Sequence, residues 1–596
     1  MVIFMLSIKE RGIIIIALVM VSITLVTLVS LPQIDVTEPD PFFHVKLTPS
    51  VYWIGFLLSV LLLCSVIFFS IKKGLNRKFV FLGIFSVILL EIFVFIIPRL
   101  MYVNKIYTDT YLFVGEVLFV LRNGHVGFGW SSESLGLSVF ASQFSLITGL
   151  SYESIAAFLP LAFPLMLTLY LCLIAKFFVK SNHLFTVCLA FIALNWFWTD
   201  MFAFNRQSFS IILQFYVLYC MLKVFLAERT SISYYVILIL SYFALAVSHP
   251  ASPLALIINT FGLLFFMTLF GLRKKFFRSN VRHDEVEKKP WFRVFSTGVI
   301  FLLIWLSWQL LVHGAIYVAF QNTISALYEF FASPNPSLQI GKIVSKYTNA
   351  YLPIVNLRLF EALFITVIGI TLSVLLLAKK SKYRIIIICS FFLSTFWLNL
   401  YVLYSNSWIF RPIIYSLPAF SILVAVFIEF SIKASRRAIK IIVNTSKIML
   451  LGAMILFATV LPFNLYAHTP FSFPPTSYLS ELDFVTRYGN GSAVILGSSS
   501  EYGYYILLNN ASITPHGETE LYDANNTFSF DKLADFEIIG TSFRVYVKEG
   551  FTQTSPSLLQ DTIKMEDFLS NKPLFAKVFQ SDSWHKVYAN QQGEPD

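Results

Sequence analysis

Charge is scarce in this sequence. Asp, Glu, Lys and Arg make up 13% of its 596 residues, against about 25% in an ordinary soluble domain. With 57% apolar residues and a mean hydropathy of +0.73, the chain has too few polar side chains to coat a soluble fold of this size. Cysteine is sparse as well. Cys64, Cys172, Cys188, Cys220 and Cys389 are the only five, and none stands at metal-ligand spacing from a histidine. The C-terminal region has none, so disulfide stapling there is excluded. The glycine patterns of a phosphate-binding loop or a dinucleotide fold are missing, and no nucleotide cofactor is expected. No small-residue cleavage site follows the apolar run behind Lys9 and Arg11, which reads as a retained signal anchor.

What the sequence does hold is apolar length, together with 17% aromatic residues including 63 Phe. Crossing a bilayer takes roughly 20 apolar residues. Thirteen stretches qualify as spans: 12–31, 51–71, 79–98, 154–175, 182–198, 209–226, 232–248, 252–271, 295–318, 357–378, 384–404, 412–430 and 446–463. Basic residues fall in alternate loops, among them Lys72, Lys73, Lys176, Lys180, Arg273, Lys274, Lys379, Lys380, Arg436 and Arg437. Under the positive-inside rule this predicts a cytoplasmic N-terminus and an external tail. The net charge of +11 divides accordingly. From residue 464 onward 8 Lys and Arg stand against 16 Asp and Glu, a net of −8, which leaves +19 for the membrane part. A basic excess spread over short loops is an orientation signal, and nucleic acid is not an expected partner.

The expected fold is therefore a polytopic α-helical membrane protein of about 13 transmembrane helices, residues 1–463. An extracytoplasmic soluble domain of mixed α/β type follows at 464–596. In that tail the short apolar runs Ser492–Leu496, Tyr504–Leu508, Phe536–Ile539 and Phe543–Val547 alternate with Gly, Asn and Asp turns, as strands do. Its three glycosylation acceptors are Asn490, Asn510 and Asn525. Two external loops are long, and in the first of them Tyr111–Arg122 is an amphipathic helix and Phe140–Ile147 a membrane-surface segment.

Topology gathers polar residues at the outer rim. Asp40 and His44 follow the first span, in a patch stiffened by Pro39 and Pro41. Asp109 and Glu116 lie beyond the third. Asp200 and Arg206 sit between the fifth and sixth, His249 caps the seventh, and Arg358 and Arg411 open the tenth and twelfth. A carboxylate at the hydrocarbon boundary is costly unless paired, hydrated or bound to an ion. Asp40 and Asp109 thus qualify as oxygen ligands for Mg²⁺ or Mn²⁺ or as a catalytic base, and the arginines as holders of a phosphate. Each has a plain alternative: Asp109 as a helix cap, His44 as a hydrogen-bonded helix-start residue, His249 as a helix-end residue. Asp200 and Arg206 can pair with each other, Arg358 and Glu361 form an i, i+3 pair, and Arg411 can anchor a span end. Glu91, inside the third span, is expected to face the bundle.

The run Glu38-Pro39-Asp40-Pro41-Phe42-Phe43-His44, set between the first two of thirteen spans, resembles the early external loop of the GT-C superfamily. These integral membrane glycosyltransferases include oligosaccharyltransferase catalytic subunits and protein O-mannosyltransferases. Asp40 matches the essential aspartate of that loop, and Tyr107-Thr108-Asp109-Thr110 is a looser match to the second acidic motif. The resemblance implies transfer of a sugar from a polyprenyl-phosphate-linked donor to an extracytoplasmic glycan, lipid or protein. Asp40, His44, Asp109 and His249 are then the catalytic candidates, and Glu116, Asp200, Arg206, Arg358 and Arg411 the substrate-binding ones. Membrane lipids are the remaining partners. The tail lacks the Trp-Trp-Asp-Tyr-Gly acceptor motif. Two other functions compete: a transporter or flippase of lipid-linked or polyanionic substrate, for which Pro160, Pro164 and Pro253 supply kinks, and a non-enzymatic envelope assembly protein.

Overall fold

The computed structural model describes residues 8–35, 43–73, 77–103, 110–126, 135–195, 203–226, 231–276, 288–312, 328, 352–379, 383–404, 413–429, 437–466, 484, 487, 491–495, 513–516, 538–540, 575–580 and 586–590. Up to residue 466 the described chain is helical. In order come α1 Ile8–Val29, α2 Phe43–Leu47, α3 Ser50–Lys73, α4 Arg77–Glu91, a π-helical turn Ile92–Ile96, and α5 Ile97–Leu100. Next are α6 Thr110–Asn123, α7 Gly136–Thr148, α8 Tyr152–Ala175, α9 Leu184–Ala193, α10 Arg206–Leu226, α11 Ile232–Ser248, α12 Ala251–Phe276 and α13 Lys288–Val312. Four more close the bundle: α14 Leu352–Lys379, α15 Tyr383–Tyr404, α16 Ile413–Glu429 and α17 Arg437–Tyr466.

Eight of these helices are long and apolar enough to cross a bilayer, including Ser50–Lys72, Phe79–Leu100, Tyr152–Ala175, Arg206–Leu226 and Leu352–Ala378. The chain is a multi-pass membrane protein. The other expected spans coincide with shorter apolar helices such as Ile232–Ser248 and Ile413–Glu429. Buried Phe56, Phe93, Leu171, Phe215, Leu256, Phe392 and Phe420 belong to one continuous core running through the bundle, while Leu61, Leu169, Leu240 and Leu363 point outward. Large apolar side chains facing out along a helix need a lipid surround.

Local sequence sets the helix boundaries. The Ser151 hydroxyl caps α8 by accepting from the Ser154 amide, and Ser231 caps α11 in the same way through Ser233. Asn205 accepts both the amide and the hydroxyl of Ser208, which starts α10. Gly149, at φ 71°, ends α7 in the left-handed conformation that suits glycine.

The two ends of the bundle are laced separately. At one, the Ser70 hydroxyl donates to the Asn182 carbonyl and Lys180 pairs with Glu429 at 3.5 Å. At the other lie α2, α6 and α7, with the starts of α8, α10 and α14 and the end of α17. The expected helix at 111–122 is α6, and the segment at 140–147 belongs to α7. Gly136 brings α7 so close to the end of α11 that a Cβ there would collide with Ser248.

In the tail, β1 Gly491–Ile495, β2 Ile513–His516, β3 Ile538–Gly540, β4 Phe575–Gln580 and β5 Lys586–Asn590 form a mixed sheet of order β2-β1-β3-β5-β4. β1 runs parallel to β2 and β3, while β5 runs antiparallel to β3 and β4. Two of the four expected runs, near 492–496 and 536–539, coincide with β1 and β3. Tyr504–Leu508, Phe543–Val547 and the three glycosylation acceptors lie outside the described residues.

Candidate functional site

The loop after α1 is tied to the loop after α5. The Ile34 amide donates to the Met101 carbonyl at 2.6 Å, and the Val103 amide returns to the Ile34 carbonyl at 3.0 Å, a single parallel bridge. Ten residues on from Ile34, His44 of α2 meets Tyr102, the residue bridged to Ile34. Its Nδ1 lies 2.9 Å from the tyrosine hydroxyl, and the two rings stack with centroids 5.6 Å apart. His44 is buried, and burial holds its imidazole neutral with a pKa lowered to about 3. Thr48 donates to the His44 carbonyl at 2.7 Å and closes the short helix.

α6 carries Glu116 into a small apolar cluster of Val114, Val117, Leu137, Ala141, Ile155, Ala156 and Phe204. Within it the Glu116 carboxylate takes Arg206 on Oε1 and the Ser138 hydroxyl on Oε2, the latter at 2.6 Å. The guanidinium also lies over the Phe113 ring, 5.1 Å from its centroid. Glu116 is 3% exposed and the Arg206 side chain 14%. Burial pushes the Glu116 carboxyl above its ordinary range, while Arg206 and Ser138 draw it back. Arg206 is the first residue of α10, where the helix dipole disfavours a cation. Glu116 offsets that cost and fixes the loop before α10 to α6.

Arg358 and Glu361, one turn apart on α14, meet through a third residue. Arg358 Nε donates to Asn464 Oδ1 at 2.8 Å and Nη2 to the Asn464 carbonyl at 2.6 Å. The Asn464 amide then donates to Glu361 Oε2 at 2.9 Å. All three are buried. The Asn464 carbonyl lies in the last turn of α17, where helical donors run out, so Arg358 acts as that helix's C-terminal cap. Next to it, Phe463 stacks on Trp53 of α3 at 5.4 Å.

His249 sits between α11 and α12 in extended backbone, as a residue before proline must. Its Nδ1 accepts from the Ala251 amide at 3.2 Å, which caps the start of α12. Of the remaining candidates, Asp40, Asp109, Asp200 and Arg411 lie outside the described residues. Among the described residues no three His, Cys, Asp or Glu side chains gather as a metal-binding group.

The described candidates therefore fall into four places: His44 with Tyr102, Glu116 with Arg206, Arg358 with Glu361, and His249 at the start of α12. Ser138, Tyr102 and Asn464 were not among the candidates, nor was Arg99, which is buried at the end of α5 and donates to the Ala156 carbonyl. A lone Asn in an apolar run was the one signal that could have singled out Asn464.

Along most of its length the chain resembles known membrane-protein structures. The Archaeoglobus fulgidus oligosaccharyltransferase tethered to an acceptor peptide is 12% identical, with a TM-score of 0.48 over 90% of this chain and 74% of that one. ArnT from Cupriavidus metallidurans bound to undecaprenyl phosphate is 11% identical, with a TM-score of 0.47 over 83% of this chain and 96% of that one. The apo state of the same ArnT is 12% identical at a TM-score of 0.46. No protein-family model and no curated protein sequence matches the chain. At such identity the likeness is one of fold alone.

Proposed function

We propose that the chain transfers a sugar from a polyprenyl-phosphate-linked donor to an extracytoplasmic glycan, lipid or protein acceptor. The end of the bundle holding α2, α6 and α7 is then the extracytoplasmic one. The observation that carries this reading is the His44–Tyr102 contact with the neighbouring Ile34 bridge. It ties together the two segments that bear Asp40 and Asp109. Asp40 is four residues from His44, a reach of at most about 14 Å, and Asp109 immediately precedes α6, which carries Glu116.

In the proposed reaction the Asp40 carboxylate accepts the proton of the acceptor hydroxyl as its oxygen attacks the sugar C1. The C1–O bond to the phosphate breaks, and the phosphate departs with the bonding electrons, so the anomeric centre inverts. Arg206, with Arg411, is assigned to the phosphate charge. Arg358 is assigned to capping α17, because two of its donors already serve Asn464. His44, neutral and buried, positions the Asp40 segment. Asp40 and Asp109 would also supply the oxygen ligands of Mg²⁺ or Mn²⁺, a requirement that a chelator titration measures.

Purified protein in lipid, given a labelled undecaprenyl- or dolichyl-phosphate sugar and an extract of candidate acceptors, should pass label to an acceptor. Asp40→Asn should abolish transfer. Full activity in that variant removes Asp40 from the mechanism. The transporter reading has one observation in its favour, the ionisable Glu91 within a span. Movement of lipid-linked substrate across vesicles without covalent transfer would select it.

A further inference from the structure

Glu91 has no part in the reaction proposed above. It closes α4 inside the span Phe79–Leu100, roughly 13 Å from the Leu100 end, and is 1% exposed. The π-helical turn that follows accommodates one extra residue. A regular α-helix would set Glu91 and Arg99 about 80° apart, yet both reach α8, Glu91 at Thr168 and Arg99 at Ala156. Thr168 donates to Glu91 Oε1. Glu91 Oε2 is buried and has no hydrogen-bond partner among the described residues.

Among the described residues, the groups around this carboxyl do not neutralise an anion. The titratable side chains that feel its charge are Cys172 on α8 and Cys188 on α9, whose sulfurs lie 3.3 Å apart. Lys176, just past the end of α8, acts on Cys172. The helices α1 and α3, which also pack on α4, carry charge only near one end, at Lys9, Glu10, Arg11, Lys72 and Lys73. A buried carboxylate with one donor and no cation beside it is strongly disfavoured against its neutral acid.

We propose that Glu91 is a protonated carboxylic acid at membrane depth, and that the seam between α4 and α8 is a proton-binding site separate from the outer-face cluster. The proton resides on Oε2, and Thr168 supports the carbonyl oxygen Oε1. Releasing the proton puts a charge beside the π-helical turn and one turn beyond Pro164 of α8, where Pro160 and Pro164 remove helical amide donors. The packing of this seam thereby becomes sensitive to pH whichever function the outer face performs.

A lipophilic carbodiimide tests this directly, because it reacts with a protonated carboxyl. The carboxyl proton passes to a carbodiimide nitrogen, the carboxyl oxygen bonds to the central carbon, and an acyl shift to nitrogen leaves a stable N-acylurea. Full-length protein in lipid nanodiscs would be treated with dicyclohexylcarbodiimide from about pH 6 to about pH 9 and mapped by peptide mass spectrometry. The adduct is expected on Glu91 near neutral pH, with little from a water-soluble carbodiimide, and it should decline as pH rises. Thr168→Val, which removes the donor that favours the anion, should carry the adduct to higher pH. Mapping uses the unaltered protein, so the result does not depend on Glu91→Gln folding. Absence of a Glu91 adduct near neutral pH, or an adduct independent of pH, overturns the assignment.

Discussion

Arg99 donates to the carbonyl of Ala156, the very group that Pro160 has deprived of its helical donor. The distance is 3.4 Å and the guanidinium is buried. In an unbroken helix the amide of residue 160 would serve that carbonyl, and proline has none. Tyr52 repeats the arrangement. Its hydroxyl donates to the Phe93 carbonyl at 2.8 Å, and the amide missing there, in the wider register of the π-helical turn, is that of Pro98. Inside a bilayer water cannot supply these donors, so a neighbouring helix must. Two breaks in regular helix thereby become two fixed contacts between helices.

That relationship sets the first expected outcome. Arg99→Met should destabilise the bundle by about 1–3 kcal/mol, the cost of a buried acceptor left without a donor. Pro160→Ala returns an amide to Ala156. In that background the Arg99 substitution should cost less, giving a coupling of about 0.5–3 kcal/mol in a double-mutant cycle. Thermal unfolding in one fixed detergent measures all four proteins. Strict additivity would show that Arg99 acts through other partners.

The ion pair of Glu116 and Arg206 predicts asymmetric damage. Glu116→Gln leaves a nearly buried guanidinium uncompensated and should cost about 3–5 kcal/mol. Combining it with Arg206→Gln should recover part of that loss, since no buried charge then remains. Donor KM separates structure from function. If Arg206 holds the donor phosphate, the recovered double variant still binds donor poorly; unchanged KM in that folded protein would reduce the pair to a staple between α6 and the start of α10.

His44 predicts a limb in the stability–pH curve. Folded His44 stays neutral down to about pH 3, whereas in the unfolded chain it takes up a proton near its ordinary 6.5. Below that value the unfolded state binds the proton that the folded state refuses. Stability from this residue is thus complete above pH 6.5 and falls steadily as pH drops toward about 3. His44→Phe removes the titration and should flatten that part of the curve in denaturation experiments run across the range. A variant whose acid limb is as steep as the parent's would locate the loss elsewhere.

Much of this architecture was legible in the sequence because apolar run length is a local property. The eight long spans follow from it, while α6 follows from its amphipathic pattern and Glu91 facing the bundle from the cost of an ionisable group in lipid. The partners of individual polar residues were not legible, because each is chosen by tertiary packing across many residues. Arg206 has Asp200 as a sequence neighbour, outside the described residues, and among the described ones it pairs with Glu116, 90 positions away. Arg358 and Glu361 sit at pairing distance on one helix, but Asn464 joins them from 106 and 103 residues further on. Pro160 announced a kink without saying which side chain would fill it. His44 has the chemistry of an acid or base, and only its burial against Tyr102 shows it neutral.

Asn464 supplies the last test, and it separates capping from catalysis. Its carbonyl and amide take two donors from Arg358 and give one to Glu361. Hydrogen bonds to charged groups contribute about 1.5–3 kcal/mol each. Asn464→Ala removes two of the three and keeps, of the bonds to residue 464, only the one from Arg358 to the backbone carbonyl. A loss of about 2–4 kcal/mol is expected, with thermal unfolding shifted downward and donor KM unchanged in the folded fraction. Arg358→Lys should behave alike, because a single ammonium cannot span the two oxygens that the guanidinium bridges. If either variant instead kept its stability and lost donor affinity, Arg358 would belong with the phosphate-binding groups rather than at the end of α17.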